Sequence, residues 1–242
     1  MPTIKYEAHA CFLITTDGGV RILTDPYESG GFGGAITYGP IRDEADVVLV
    51  THEHGDHNYV AGVPGDPVVV RETEGQEGVE FQAVPSRHGR PGLGDILQLI
   101  RAVLRVRVIR SLHGRSDGQD RGGNRIFVWE ADGVRFCHLG DLGFLLDAEQ
   151  VAALAPVDVV FVPVGGRVTL DAAGAHLVVA QLQARAAIPM HYATGRTSFP
   201  LAPVDDFVAA APNVIRVGGS EWSVSAGTLP ESGTVVLLDP AN

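Results

Sequence analysis

The stretch "THEHGDHNYV" at residues 51–60 places three histidines and an aspartate within six positions. His52, His54, Asp56 and His57 can all bind a metal ion, and imidazole with carboxylate suits a borderline divalent ion such as Zn²⁺. The apolar run "DVVLV" directly precedes the stretch and indicates a strand that ends where the loop begins. The pattern therefore predicts a metal-binding loop at the edge of a sheet, with a histidine-rich exposed turn as the alternative interpretation.

Three further candidate ligands each lie at the end of a predicted strand. His88 follows "AVPSR", Asp141 ends "FCHLGD", and His191 lies in "AAIPMHY". Because the ends of neighbouring strands meet at one edge of a sheet, these side chains are expected to converge on the loop at 51–60. Seven candidates exceed the need of one ion and predict two. His52, His54 and His88 would hold one ion, Asp56, His57 and His191 would hold the other, and Asp141 would bridge them.

Three other polar residues are candidates for a supporting role. His138 precedes Asp141 by three positions and is interpreted as a hydrogen-bonding partner of the ligands or as a packed residue. Asp25 follows a predicted strand and is expected either to hydrogen-bond the metal loop or to serve as a turn residue. Arg196 is a candidate for binding an anionic substrate, with a solvated arginine as the alternative.

The predicted elements place these residues in a layered domain. Short strands dominate the first quarter of the chain, and strands alternate with helical patterns in the second half. This order predicts a single α/β domain over residues 1–242, in which helices cover the sheets.

One segment interrupts this order of elements. Its sequence "DILQLIRAVLRVRVIRSL" begins with helical spacing and continues with the alternation of a strand, so the periodicity leaves both open. We predict an insertion at residues 90–118. Its six arginines favour a lid or a subunit contact that offers positive charge to an anionic substrate, with an element packed on the domain's own surface as the alternative.

The composition narrows the class of protein. A formal net charge of −11 argues against an extended nucleic-acid-binding surface. The sequence contains no run of apolar residues long enough for a transmembrane helix, and residues 1–19 lack the order of a signal peptide. Cys11 and Cys137 are interpreted as reduced, buried thiols. We therefore predict a cytoplasmic protein.

Taken together, the motif His-x-His-x-Asp-His, the mid-chain His88, the Gly-Asp pair at Asp141 and the late His191 resemble the pattern of the metallo-β-lactamase superfamily. The resemblance implies an αββα sandwich with the metal ions at the edge between its two sheets. It runs through nearly the whole chain. The segments "AHACFLI", "ILTDPY", "RGGNRIFVWEADGVRFCHLGDLG", "DVVFVPVGG" and "IPMHY" are similar to the branch that contains L-ascorbate-6-phosphate lactonase.

The chain departs from that branch in two places. The branch has Gly-His-Ser near its start, where this chain has Ala8-His9-Ala10, and His9 is interpreted as structural or as a polar group at the pocket edge. The stretch after His88 is longer than expected and contains His113, which is the alternative third ligand of the first ion. We favour His88 because it directly follows a predicted strand.

The resemblance implies a metal-dependent hydrolase of a small ester, lactone or phosphoester. Two neighbouring divalent ions can activate a water molecule for attack on a carbonyl or phosphorus, and Asp56 could orient that water or relay a proton. Zn²⁺ is the expected metal, with Mn²⁺ or Fe²⁺ as alternatives. No Gly-x-Ser-x-Gly motif for a serine nucleophile occurs.

Other functions on the same fold stay open at this point. A phosphodiesterase or nuclease is disfavoured by the acidic chain, and a redox di-iron protein is disfavoured because such relatives place Glu where this chain has His54. A non-catalytic metal-binding protein is the third alternative. The expected partner is a small, anionic substrate. Neither a membrane nor nucleic acid is expected, and residues 90–118 are the candidate contact for a homo-oligomer.

Overall fold

The computed structural model describes residues 1–71, 79–83, 102–115 and 119–242. Within its strands, the side chains of residues 79–83, 102–105, 112–115 and 119–121 are not described. The predicted ligand His88 lies outside the described residues. His113 lies in a described strand, but its side chain is outside the described part.

The described residues form fourteen strands and four short helices. The strands are β1 (Thr3–Ala8), β2 (Cys11–Thr15), β3 (Arg21–Thr24), β4 (Val47–Leu49), β5 (Val68–Val70), β6 (Val79–Ala83), β7 (Ala102–Arg115), β8 (Gln119–Ala131), β9 (Val134–His138), β10 (Val159–Pro163), β11 (Ala186–Met190), β12 (Val214–Arg216), β13 (Glu221–Ser223) and β14 (Thr234–Leu237). The helices are α1 (Gly31–Gly34), α2 (Ala148–Leu154), α3 (Ala172–Gln181) and α4 (Asp205–Ala209), and Val60–Gly62 forms a 3-10 turn.

The strands form two sheets, as the predicted sandwich requires. The first sheet has the order β13-β1-β2-β3-β4-β5, and the second has the order β12-β14-β11-β10-β9-β8-β7-β6. In the first sheet β3, β4 and β5 are parallel, and in the second β9, β10, β11, β14 and β12 are parallel. Because parallel strands all end on the same side, each sheet presents a row of carboxyl ends where loops can carry functional residues.

Alternating side chains explain how the first sheet is buried on two faces. In β2, Phe12 and Ile14 belong to the core between the sheets, whereas Cys11 and Leu13 belong to a second cluster on the opposite face. The ring of Phe12 packs against Phe161 of β10 with centroids 4.4 Å apart, so the two sheets are in direct contact. Burial of large apolar side chains between the sheets is the main stabilising contribution to such a sandwich.

Helices α2 and α3 contribute buried side chains to the core between the sheets, and each begins at a side-chain cap. Asp147 caps α2 by accepting from the backbone N–H of Gln150, whose side chain accepts in turn from the N–H of Asp147. Asp171 caps α3 by accepting from the N–H of Gly174. These bonds satisfy N–H groups that a helix start leaves without a partner, and each such cap contributes about 1 kcal/mol. None of the helices among the described residues is long and apolar enough to cross a membrane.

Residues 102–115 of the predicted insertion form β7, an internal strand of the second sheet. It pairs with β6 and with β8, and Val106 lies opposite both Val79 and Trp129. This part of the segment therefore belongs to the sheet, where the sequence predicted an insertion carried on the domain. Residues 90–101 and 116–118 lie outside the described residues, so the extent of the insertion stays a prediction.

The hairpin of β7 and β8 extends past the end of β9. The pairing of β8 with β9 ends at Phe127 opposite His138, whereas its pairing with β7 continues to Gln119 opposite Arg115. Arg107 of β7 donates to the carbonyl of Ala153 near the end of α2. At least this arginine of the predicted insertion is thus bonded to the domain itself.

Candidate metal centre

Five connections between elements bring the described candidate ligands, together with His9 and Asp25, to one edge of the two sheets. The loop after β4 carries His52, His54, Asp56 and His57, and the ends of β9 and β11 carry Asp141 and His191. The turn between β1 and β2 carries His9, and the end of β3 carries Asp25. Within the described residues, three overlapping sets place their ligand atoms within 4.8 Å of one another: His9, Asp56, His57 and His191; Asp25, His52 and His57; and His52, His54 and Asp141.

Asp141 lies at the middle of this arrangement. Its Oδ2 is 3.6 Å from His52 Nε2 and 3.5 Å from His191 Nε2, and its Oδ1 is 3.3 Å from His57 Nε2. A single buried carboxylate therefore faces histidines from both predicted ligand sets. This is the position that a bridging ligand would occupy.

The sequence predicted two groups of ligands joined by Asp141, and the same division serves to describe the other candidate ligands. We call Asp56, His57 and His191 the second-ion group, and His52 and His54 the first-ion group. In the second-ion group, Asp56 Oδ2 lies 3.5 Å from His57 Nε2 and 4.0 Å from His191 Nε2. In the first-ion group, the rings of His52 and His54 lie edge to face with centroids 4.6 Å apart.

Asp25 sets the orientation of one histidine in each group. Its Oδ1 accepts from the backbone N–H of Thr51, and its Oδ2 accepts from the Thr51 hydroxyl at 2.7 Å and lies 2.9 Å from His57 Nδ1. In the neutral ring of His57 this contact places the proton on Nδ1 and leaves the lone pair on Nε2. The Thr51 hydroxyl donates its only hydrogen in the bond to Asp25. Its oxygen can therefore only accept from His52 Nδ1, which lies 2.9 Å away. The two Nε2 atoms are thereby turned towards Asp141.

Asn124 of β8 holds the backbone at Asp141. Its Oδ1 accepts from the N–H of Asp141 at 3.0 Å, and its Nδ2 donates to the carbonyl of Leu139 and to the Ser111 hydroxyl. Gly140, between them, has a φ of 55°, and a Cβ there would lie 2.3 Å from Asn124 Oδ1. Glycine is therefore required for this turn.

Three residues of the centre have strained backbone conformations. His9, Asp25 and His191 have φ values of 58°, 39° and 52°, a region that residues other than glycine seldom adopt. Such conformations persist where surrounding contacts fix them, and they occur preferentially at functional sites. The N–H of His191 donates to the carbonyl of His9 at 3.0 Å, so two of the strained residues hold each other.

The electrostatics of the centre favour a bound cation. Burial alone would lower the pKa of His57, but the carboxylates of Asp141, Asp56 and Asp25 raise it well above its usual value. Burial would raise the pKa of Asp56, yet His57 and His9 hold it far below its usual range. The pKa of His9 and that of His191 fall to about 4, chiefly because the rings are buried. The carboxylate of Asp56 is thus held in its charged form, and it faces the neutral rings of His9 and His191.

The residues fit a divalent metal. Among the described residues, His57 Nε2 is buried without a hydrogen-bond partner while it faces oxygens of Asp141 and Asp56. Buried carboxylates are stable where a cation compensates their charge, and an imidazole lone pair directed at the same point supplies a ligand. The donor atoms of imidazole and carboxylate suit zinc, manganese or iron.

The other predicted site residues occupy supporting or peripheral positions. His138 is buried, its Nε2 donates to the carbonyl of Ala10 at 3.0 Å, and its Nδ1 accepts from the N–H of Gly140. It therefore joins the β1–β2 turn to the turn that carries Asp141. Arg196 is exposed, and its carbonyl accepts from the backbone and the hydroxyl of Thr37.

Sequence reasoning missed two residues that contact the ligands. His9, interpreted as structural or as a pocket-edge group, is buried with its Nε2 3.0 Å from Asp56 Oδ2. Its position in the short stretch Ala8-His9-Ala10 between two predicted strands was the available signal. Asn124 was not singled out, although it lies in the segment "RGGNRIFVWEADGVRFCHLGDLG", whose similarity to the lactonase branch was the available signal.

An aromatic pair borders the centre. Phe199 lies with its ring centroid 5.8 Å from that of His9 and packs edge to face against Phe32, at 5.5 Å. Phe32 is 53% exposed, and its ring reaches the metal loop beside Gly55. This pair gives the rim of the centre an apolar side.

The two sheets, with a histidine and aspartate centre at their common edge, define a member of the metallo-β-lactamase superfamily. In agreement, the model of the β-lactamase superfamily domain matches residues 3–191. The chain belongs to the UPF0173 family of metal-dependent hydrolases within that superfamily, as its similarity to curated members shows.

The similarity to relatives extends over most of the chain. The UPF0173 metal-dependent hydrolase of Thermococcus onnurineus is 32% identical over 202 residues, which cover 80% of this chain and 86% of that protein. The relative from Archaeoglobus fulgidus is 30% identical over 214 residues, which cover 84% of this chain and 86% of that protein. A candidate zinc-dependent hydrolase from Thermotoga maritima superimposes with a TM-score of 0.72 at 28% identity, over 99% of this chain and 100% of that one. The predicted superfamily, fold and hydrolase class are confirmed.

Proposed function

We propose that the chain holds two divalent metal ions and hydrolyses a small, negatively charged ester, lactone or phosphoester. The first-ion group, completed by His88, would hold one ion, and the second-ion group would hold the other. The position of Asp141 carries this proposal, because its Oδ2 is at similar distances from His52 of one group and His191 of the other. A carboxylate that faces histidines of both groups could bind one ion on each side.

Zinc is the metal that we propose. The donor set contains imidazole and carboxylate, which zinc accepts in catalytic sites, and the similar protein from Thermotoga maritima is described as zinc-dependent. When bound, a pair of such ions supplies a Lewis acid and a water molecule that loses its proton near neutral pH. Mn²⁺ and Fe²⁺ remain alternatives for the same donor atoms.

The residues of the chain suggest how a substrate approaches. His54 is half-buried, whereas the described residues of the second-ion group are buried, so the centre opens towards solvent on the side of His54. Asp56 is the proposed proton relay, because its exposed fraction of 8% exceeds the 2% of Asp141 while both face His57. Arg196 is the proposed contact for a negative charge, since it is exposed on a loop that lies after His191.

The substrate class rests on the similarity of several segments to the L-ascorbate-6-phosphate lactonase branch. The acidic chain is the reason to prefer a small substrate over nucleic acid. A cytoplasmic location belongs to the same proposal, and so does a subunit contact that includes residues 90–118.

Metal analysis followed by a substrate panel tests the proposal. Protein purified without chelator and reconstituted with Zn²⁺ should contain two equivalents of zinc and hydrolyse at least one lactone, phosphomonoester or phosphodiester. The control is the same preparation after chelation, which should regain activity when Zn²⁺ is returned. A reproducible maximum of one equivalent under all loading conditions would contradict the two-ion centre.

A further inference from the structure

The turn between β1 and β2 has a residue that its backbone conformation disfavours. Ala8 pairs with Cys11, so His9 and Ala10 form a two-residue hairpin turn. Tight turns of this kind need positive φ values and are usually built with glycine or asparagine. His9 adopts a φ of 58° instead. A histidine in this conformation is uncommon, and such residues occur preferentially at functional sites.

Contacts from several elements fix the turn. The carbonyl of His9 accepts from the hydroxyl of Tyr6 at 3.1 Å and from the N–H of His191 at 3.0 Å. The carbonyl of Ala10 accepts from His138 Nε2 at 3.0 Å. The turn is therefore bonded to the two strand ends that carry His191 and Asp141, and the direction of the His9 side chain is set by the same contacts.

The imidazole of His9 contacts the second-ion group. Its exposed fraction is 1%, its ring lies 4.5 Å from that of His191, and its Nε2 is 3.0 Å from Asp56 Oδ2. In the described part of the chain, His9 Nδ1 is buried and has no hydrogen-bond partner. A proton on Nδ1 would leave a buried N–H unpaired and would direct the Nε2 lone pair at a carboxylate oxygen. A proton on Nε2 makes a hydrogen bond to Asp56 and avoids this repulsion.

We propose that His9 is a positioning residue whose Nε2–H donates to Asp56 and holds this carboxylate beside His57 and His191 for the second ion. The proposal rests on the two-ion centre, because it assigns Asp56 a ligand role. Its physical basis is that a carboxylate fixed by an outer hydrogen bond loses less rotational freedom when it binds a metal.

Two nearly isosteric variants test the role of the donor. His9→Gln keeps an N–H donor at the reach of Nε2, and His9→Met has a similar length and no donor. We expect His9→Met to weaken binding of the second ion by about 10- to 100-fold, the usual effect of removing an outer partner of a ligand. His9→Gln should retain most of the affinity. Competition with a chelator measures this affinity, and the visible spectrum of Co²⁺-loaded protein should change in His9→Met more than in His9→Gln.

Equal losses in the two variants, or no loss in either, would overturn the proposal, since packing alone does not distinguish an amide from a thioether. The tautomer of His9 in the wild-type protein provides a test that does not depend on folding of a variant. Nitrogen NMR of ¹⁵N-histidine-labelled protein should show His9 protonated at Nε2 in the metal-free and the zinc-loaded state. A lone pair or a bound metal at Nε2 would contradict it. If wild-type protein binds fewer than two ions while His9 shows this tautomer and variant pattern, the two-ion proposal fails and the role of His9 stands.

Discussion

The second-ion group and the described part of the first-ion group differ in their burial. Asp56, His57 and His191 are buried, and they are bonded to His9, to Asp25 and to the backbone of the β1–β2 turn. In the first-ion group His52 is buried and oriented through Thr51, whereas His54 is half-buried. The difference indicates that one half of the centre is preorganised for a metal and the other half is open to solvent. We expect the two ions to differ in affinity and the substrate to approach the weaker side.

Replacing Asp141 should have the largest effect, because this residue serves both groups. Asp141→Asn keeps the shape of the side chain and loses the charge that two cations would share. Since removal of even an outer partner costs about 10- to 100-fold, we expect hydrolysis to fall by more than about 100-fold. Zinc content should fall below two equivalents while the protein stays folded by circular dichroism. Full activity with normal zinc content would show that the two groups do not share this ligand.

The two groups can be separated by removing one histidine from each. His57→Ala should abolish the tighter phase of a zinc titration, because His57 belongs to the preorganised group. His54→Ala should leave the tighter phase and remove the weaker one. Isothermal titration of chelator-treated protein resolves the phases. If both variants lose the same phase, the division into two groups is wrong.

The identity of the third ligand of the first-ion group can also be tested by replacing single histidines. His88→Ala should lower the content of the weaker ion and reduce hydrolysis, and His113→Ala should leave that ion bound. Zinc analysis of the two variants side by side decides between them. The opposite pattern would place His113, and with it β7, among the ligands.

Of the four predicted effects, that of Asp25→Asn should be the smallest, and it should weaken metal binding by both groups. The amide offers an acceptor on one side only, so it cannot accept from Thr51 and His57 as the carboxylate does. The histidines would lose their fixed tautomers, and we expect a reduction of about 10- to 100-fold in zinc affinity or in activity. Asp25→Glu serves as the control that keeps the charge. An effect on one group alone would show that Thr51 does not transmit the orientation to His52.

The sequence was sufficient to predict the residues that lie at the ends of apolar runs. The loop with His52, and the strand ends with Asp141 and His191, could be located because a buried strand has a recognisable pattern and its end is marked by polar residues. The contact of His9 with Asp56 could not be located in the same way. It depends on a positive φ in a two-residue turn and on the meeting of two segments that are far apart in the chain.

The segment that forms β7 shows a second limit of prediction from the sequence. Its first half has helical spacing and its second half alternates, so local periodicity could not choose between helix and strand. Pairing with β6 on one side and β8 on the other decides the conformation of residues 102–115, and such pairing is a tertiary effect. Arg107, one of the six arginines of the predicted insertion, donates to the carbonyl of Ala153 in α2, as the alternative of an element packed on the domain's own surface would allow.

The hydrogen bond between the N–H of His191 and the carbonyl of His9 has a consequence for the biosynthesis of the protein. The ribosome releases the β1–β2 turn and the metal loop early, while the strand that carries His191 emerges after most of the other elements. A contact of this kind forms late because a long stretch of chain must first be ordered between its partners. Until β11 has emerged, the nascent chain presents the second-ion group without one ligand and without the bond that fixes the turn. We therefore expect the second-ion group to bind a metal ion tightly only once β11 has emerged.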